Sequence, residues 1–289
     1  MPEMVFLLGD TRLARHDNHR RLPRAFRTAG WSVTELSQDA VRLTANGVSL
    51  GETDPLRFDL IWLLGLGPAD TFFDRMQLLH QLPQQRLVVS VDALMYWHAK
   101  YAWWRHMPET HAACEAEYLK RRLAGGGDWV IKPAAGSYGR DVQRICDNAA
   151  GRAAIERLTD GGRRYCLLQR YVAEIEQGEK RTVVAGGQII GSYLRTPKPG
   201  VPGEFRSNLS LGAAACLTEL SSGERELVTD LAHDLAARGV GFAAVDTAYP
   251  YLMEINLAGP GGLATLHELS GRDPAPAVVA AVCAWRGFQ

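Results

Sequence analysis

Short apolar runs alternate with amphipathic stretches along most of the chain. Met4 to Gly9 (M-V-F-L-L-G) is an uninterrupted apolar run of strand length, and Trp31 to Leu36, Phe58 to Leu64 and Leu87 to Val91 repeat the pattern. Between these runs, Leu22 to Ala29, Thr71 to Leu82 and Ala93 to Trp104 read as helices, the first closed by Gly30 and the last carrying Lys100. Strands alternating with helices predict a small open α/β sheet covered on both faces. Val41 to Leu50 reads as a hairpin turned at Asn46-Gly47. The polar stretch from Arg12 to Arg21 is either a substrate loop or an exposed connection, with a helix start at Asn18; the second reading is the stronger.

Pro108 marks the entry to a second region. Cys114 to Leu123 is helical and ends at Gly125-Gly126-Gly127; Asp128 to Pro133 is a strand, and Asp141 to Ile145 resumes as strand after a glycine-bearing loop. Ala149 to Leu158 follows as a helix and Tyr165 to Tyr171 as a strand. Strands 181–185 and 188–194 turn at Gly186-Gly187. Ser221-Ser222-Gly223-Glu224 is a capping-box pattern opening an amphipathic helix that Gly239 stops, and a last helix runs from Pro274 to Trp285. Between these two helices, Gly241 to Val245 and Tyr251 to Ile255 flank Tyr249-Pro250 and form a second hairpin.

Composition removes several function classes. The 289 residues carry 32 basic and 32 acidic side chains, so nothing points to nucleic acid or a membrane surface. No apolar run approaches the ~20 residues of a membrane span. The start lacks a basic n-region, so no signal peptide is expected. Five cysteines, odd in number and without a C-x-x-C pair, fit reduced thiols in a cytoplasm.

The candidate chemistry centres on Asp246 to Asn256 (D-T-A-Y-P-Y-L-M-E-I-N). In a hairpin Asp246 and Glu254 fall on facing strands, and Glu254 and Asn256, two apart, share a face. Three oxygen donors with no Cys or His beside them suit Mg²⁺; they also suit a solvated hairpin edge. Upstream, Lys132 precedes the loop Ala134 to Arg140, whose backbone N–H groups are able to close over phosphates, although an ordinary turn beside a snorkelling lysine reads the same way. Glu179 beside Lys180 and Arg181 is a ribose and phosphate pairing or a charged hairpin edge. Gly65-Leu66-Gly67 begins like a dinucleotide fingerprint, but Asp70 stands where the third glycine belongs, and the match is rejected.

Taken in order, Lys100, Lys132-Pro133, Gly136-Ser137-Tyr138-Gly139, Gln169-Arg170-Tyr171-Val172, Gly178-Glu179-Lys180-Arg181, Arg206-Ser207-Asn208 and Asp246…Glu254-Ile255-Asn256 resemble the ATP-grasp ligases, and among them the bacterial glutathione synthetases. The resemblance covers nearly the whole chain and is dense from Asp128 to Gly262. It implies an ATP-grasp fold of α/β and α+β lobes. The implied division is an N-terminal open α/β domain over residues 1–106, a lid subdomain over 107–172 and a C-terminal subdomain with the metal site over 173–289. It implies ATP- and Mg²⁺-dependent joining of a small-molecule acid to an amine through an acylphosphate. Lys100 and Lys132 would contact ATP, Gly136 to Gly139 would be the phosphate lid, and Gln169, Arg170, Tyr171 and Val172 would line the adenine pocket. Glu179 would hold the ribose. Lys132, Lys180, Arg195, Arg206 and Asn208 would surround the transferred phosphate and acyl group, with Mg²⁺ on Asp246, Glu254 and Asn256. An amide ligase of other specificity, or a nucleotide-binding relative without ligation, are the alternative readings; a homo-oligomer is left open.

The departures fall on the substrate side. The family's charged segment after the third strand is here Leu63 to Asp70, with no charge before Asp70; its S-P-T-G turn is here Ala258-Gly259-Pro260-Gly261-Gly262; and Arg15-His16-Asp17-Asn18 replaces its lysine-aspartate-serine loop. The resemblance therefore carries ATP and Mg²⁺ further than it carries γ-glutamylcysteine and glycine.

Overall fold

Three sheets and a separate hairpin organise the computed structural model, which describes residues 1–10, 16–134, 136, 139–198, 200–201 and 203–288. The first region runs β1 (Glu3–Leu8), α1 (Asn18–Thr28), β2 (Ser32–Ser37), β3 (Val41–Thr44), β4 (Gly47–Leu50), β5 (Leu60–Leu64) and α2 (Phe72–Leu79). Its sheet has the order β2-β1-β5, all parallel, with Met4 opposite both Val33 and Leu60. Every residue of β5 is buried, as an apolar run covered on both faces requires. The β3–β4 hairpin turns one residue earlier than expected, because Thr44 pairs with Gly47 and leaves Ala45-Asn46 as the turn.

Two expectations for this region fail. Leu87 to Val91 is not a fourth strand: it makes one parallel bridge to Ile61 and one antiparallel bridge to Val240. Its backbone divides its hydrogen bonds between two neighbours, Val88 N to Ile61 O at 2.9 Å and Gly241 N to Val88 O at 2.7 Å, and so stitches the first sheet to the C-terminal one. Ala93 to Trp104 is not one helix. A single π-helical turn, Ala93–Trp97, gives way to turns and a 3-10 turn at Trp104–His106. The Trp103 indole donates back to Trp97 O at 2.9 Å, and the Arg238 guanidinium lies 3.7 Å from the Trp97 ring centre, so aromatic packing overrides helix continuation. Lys100 consequently sits on a turn.

The second region comprises β6 (Thr110–Ala113), α3 (Ala116–Leu123), β7 (Trp129–Pro133), β8 (Gln143–Ile145), α4 (Ala149–Thr159) and β9 (Cys166–Arg170). The sheet order is β6-β9-β7-β8, antiparallel throughout, and α3 and α4 cover it through Leu119, Leu123, Ile155 and Leu158. The third region comprises β10 (Glu179–Ala185), β11 (Gln188–Thr196), β12 (Ala214–Leu217), α5 (Ser222–Ala237), β13 (Phe242–Ala248), β14 (Tyr251–Asn256), α6 (Leu263–Ser270) and α7 (Ala275–Trp285). Its sheet runs β12-β11-β10-β13-β14. The Ser221 capping box forms at the start of α5, with both reciprocal hydrogen bonds present.

Two apolar clusters each span the first and third sheets, one holding Leu7, Ile61, Val228 and Val245, the other Phe6, Trp62, Phe242 and Val278. Among the described residues no helix is long and apolar enough to cross a membrane.

Candidate active site

The β13–β14 pairing sets the site. Asp246 lies directly opposite Glu254, and Asn256, two residues on, turns to the same face and donates from Nδ2 to Asp246 Oδ2 at 3.3 Å. On the other side of β13, Arg181 of β10 is opposite Asp246, and its guanidinium donates to both carboxylate oxygens at 2.8 and 2.6 Å. Glu179, two residues before Arg181, shares that face and meets Arg195 of β11 at 2.6 Å; Arg195 also reaches Asp246 at 3.1 Å. Period-2 alternation thus brings three carboxylates and two arginines into one row.

Burial would raise the Asp246 pKa, but Arg181 and Arg195 overcome it and hold the carboxyl below its usual range. Burial likewise works against the Glu254 carboxylate, and Lys100, which ion-pairs with it, carries its pKa down. Glu179 behaves oppositely: burial dominates and pushes it up to about 7. Burial, then the neighbouring Lys100 charge, lowers Lys132 to about 8.

The second sheet supplies the facing wall. Lys132 of β7 donates to Gln169 Oε1 of β9 at 2.9 Å, and Gln169 donates to Thr110 Oγ1 at 2.8 Å. The cleft between the walls holds about 820 Å³ of atom-free space, part of it open to solvent, with Val130, Val142, Val172, Ile175 and Met253 among its apolar lining. This mixture of apolar walls and a few converging charges is what small-ligand clefts present. Tyr171 stands at the rim, its hydroxyl on Glu176 at 2.6 Å and its ring 3.8 Å from the Arg144 guanidinium; burial pushes its pKa up to about 12. Arg206 donates to the Gly139 carbonyl at 3.3 Å, tying Gly139 to Arg206 across the cleft lining. Gly139 has φ +68°, and a Cβ there would lie 2.5 Å from Asn208 Oδ1, so the approach needs glycine.

The family profile for the prokaryotic glutathione synthetase ATP-grasp domain matches residues 98–271. The chain is 32% identical over 219 residues to the glutathione synthetase of Parasynechococcus marenigrum (strain WH8102), covering 73% of this chain and 70% of that one. The chain belongs to this family. It is 30% identical over 257 residues to the glutathione synthetase of Prochlorococcus marinus (strain MIT 9313), covering 85% of this chain and 82% of that one. The D-cycloserine synthetase DcsG structure superimposes with a TM-score of 0.72 at 19% identity, over 98% of this chain and 99% of that one, a likeness of fold. The fold is therefore ATP-grasp, and the protein is an ATP-dependent carboxylate–amine ligase, glutathione synthetase-like.

Most side chains singled out in the sequence border the ligase's cleft. Lys100, Lys132, Gln169, Glu179, Asp246 and Glu254 do, as do Gly139, Tyr171, Val172, Arg195, Arg206 and Asn208. Gly136 borders a smaller recess beside it, shared with Lys100 and Lys132. Asn256 is not among the residues that border the cleft, and its amide reaches Asp246, which does. Arg170 borders the cleft, but its guanidinium turns away to Glu109, to Gly126 O and onto the Trp129 ring. Ser137 and Tyr138, expected in the phosphate lid, and Arg15 of the first loop lie outside the described residues.

Lys180 requires a correction. It was expected beside the transferred phosphate, yet it points to the opposite face of β10 and pairs with Glu224 of α5 at 2.7 Å. Strand alternation forbids Glu179, Lys180 and Arg181 from sharing a face. Arg181, named beside Glu179 but given no role of its own, is the residue on the Asp246 face, as the same alternation counted from Glu179 requires. Of the apolar lining only Val172 was named; Val130, two residues before Lys132 on β7, carried the signal for the rest.

Among the described residues no group of three or more His, Cys, Asp and Glu is arranged to hold a metal ion. Two carboxylates and an amide fit Mg²⁺ nevertheless: the set is all hard oxygen, and this ion takes its other ligands from substrate phosphates and water.

Proposed function

We propose that the cleft binds ATP with Mg²⁺ and joins the carboxylate of a small acid to an amine through an acylphosphate. The observation that carries this reading is the convergence of Asp246 and Glu254, in register across one ladder, with Lys100 and Lys132 in a single cleft. Asp246, Glu254 and Asn256 hold the metal, whose charge offsets the repulsion between phosphates and carboxylate. Lys100 and Lys132 contact phosphate oxygens, in the recess they share with Gly136 and Gly139. The apolar walls at Val130, Val142 and Ile175 take the adenine beside Gln169, Tyr171 and Val172, and Glu179 takes the ribose. Residues 1–106, 107–172 and 173–289 act as three lobes around the cleft.

In the first step a substrate carboxylate oxygen attacks the γ-phosphorus, and the bond to the ADP oxygen breaks. Arg195, Arg206 and Asn208 are the donors for the charge gathering on the transferred phosphoryl and acyl oxygens. In the second step the amine attacks the acyl carbon and gives up a proton, and phosphate leaves from the tetrahedral intermediate. Acylphosphates hydrolyse, so water exclusion by the loop 136–139 protects the intermediate. Phosphate release on adding ATP, Mg²⁺ and a panel of acid–amine pairs tests the reading. Release that requires both an acid and an amine supports it, and release at the same rate without either would overturn it.

A further inference from the structure

We propose that Lys100 is the resident counter-ion of the metal site, so that the cleft takes a divalent cation only together with a nucleoside triphosphate. The proposal rests on the reading of Asp246 and Glu254 as the metal carboxylates.

Each carboxylate of the row already has a cation: Glu179 has Arg195, Asp246 has Arg181 and Arg195, and Glu254 has Lys100. Lys132 adds a fourth positive charge whose hydrogen-bond partner, Gln169, is neutral. Four cations against three carboxylates leave one net positive charge. A bare Mg²⁺ would raise that to three positive, in a cleft where water screens poorly. Magnesium with a nucleoside triphosphate brings two net negative charges instead and turns the total to one negative.

The groups differ in how readily they move. Arg181 grips Asp246 with two hydrogen bonds from a planar fork. Lys100 holds Glu254 through one ammonium on a flexible stem, carried by a turn. Lys100 also borders both the main cleft and the small recess lined by Lys132, Gly136 and Arg140. Its head group is thus placed to leave Glu254 for a phosphate oxygen in the adjoining recess. Phosphate draws Lys100 off Glu254 as the metal arrives, and each ligand clears the way for the other.

Mn²⁺ uptake, read from the electron paramagnetic resonance of the free ion, tests this with and without a non-hydrolysable ATP analogue. Wild-type protein is expected to bind Mn²⁺ weakly alone and at least about tenfold more tightly with the analogue. Lys100→Met, or Lys100→Gln if the first fails to fold, is expected to bind Mn²⁺ alone at least about tenfold more tightly than wild type. The double variant Lys100→Met/Glu254→Gln should lose that gain. Equal Mn²⁺ affinity of wild type and Lys100 variants without nucleotide, while wild type binds it with the analogue, would overturn the counter-ion role alone. Absence of Mn²⁺ binding to wild type even with the analogue would overturn the metal-site reading and this proposal with it.

Discussion

Lys180 and Arg181 are neighbours on β10 and serve opposite faces of its sheet: Arg181 donates to Asp246 at 2.6 Å on the face that carries the carboxylate row, and Lys180 meets Glu224 at 2.7 Å beneath α5. Glu224 also accepts from Ser221 N at 2.8 Å as part of the capping box, so Lys180 secures the start of a helix and touches no part of the cleft. Lys180→Met is therefore expected to cost on the order of 1–3 kcal/mol of stability, the loss of one partner from a mostly buried pair, and to keep turnover within a few-fold. Arg181→Met strips Asp246 of the two hydrogen bonds that hold its carboxylate in place and is expected to lower turnover about a hundredfold or more. Denaturant unfolding and steady-state phosphate release separate the two. A turnover loss in Lys180→Met as large as in Arg181→Met would return Lys180 to the site.

Asp246→Asn and Glu254→Gln each remove one anionic oxygen from the pair that faces the phosphates. Each is expected to reduce turnover at least about a hundredfold while circular dichroism stays that of the folded protein. The Glu254 variant also frees Lys100, so its affinity for nucleotide without metal is expected to rise. Near-wild-type turnover of Glu254→Gln at saturating Mg²⁺ would remove Glu254 from the metal site.

Those two positions show what the sequence made legible. The one-residue register shift between Asp246 and Thr247, which brings Asp246 opposite Glu254 rather than Met253, was not legible, but a Tyr-Pro turn between two apolar runs was enough to put Asp246 and Glu254 on facing strands. The capping box of α5 was legible for the same reason, as a local pattern with a local cause. Lys100 was harder. Its segment has helical spacing, but the Trp97–Trp103 contact and Arg238, 135 or more residues away in the chain, decide its path. The edge strand β6 was missed because its residues are small, half-exposed and only one side of it is paired. Leu87 to Val91 looked like a strand because it is buried like one, and burial alone does not say which neighbour a backbone bonds.

Lys132 gives a pH dependence. Phosphate binds the protonated lysine, whose pKa burial and Lys100 lower to about 8 in the nucleotide-free protein. Nucleotide affinity is expected to hold below that value and to fall above it, by up to about tenfold per pH unit until the pKa of the bound state is reached. The stability contribution has the opposite trend. Between about 8 and the ordinary lysine value of 10.5 the unfolded chain keeps a proton that the folded one has shed, so this group raises stability as pH rises through the window. Calorimetric titration of an ATP analogue from pH 7 to 9.5 checks the first trend. A profile unchanged by Lys132→Met would assign the dependence to another group.

The last prediction concerns the acid substrate. The loop after β5, from Gly65 to Ala69, carries no charge, and the structure shows what holds it in place of one. Arg75 of α2, only 4% exposed, donates to Leu66 O at 2.6 Å, to Pro68 O at 3.1 Å and to Thr71 Oγ1 at 2.6 Å. Gln38 takes Leu64 O and Gly65 O at 3.2 and 2.9 Å. Gly67, at φ +68°, has no room for a Cβ between them. Arg75 is thus spent on the loop's backbone and withheld from a ligand. From the first loop, His16 sits on Gly259 O at 2.9 Å with its pKa lowered by burial, and Asp17 is taken by Arg21. An acid bound against these two loops would meet, in Arg75 and Asp17, charges already taken and, in His16, an imidazole held neutral by burial, where a γ-glutamyl head group would need paired charges. Burying an ammonium or carboxylate without its partner costs several kcal/mol, or about a hundredfold and more in affinity. Activity on γ-glutamylcysteine with glycine is expected to be weak, and acids with a smaller or less polar inner end are expected to be preferred. Steady-state comparison at equal enzyme concentration decides it, and a low-micromolar Michaelis constant for γ-glutamylcysteine would show that this wall accepts the head group after all.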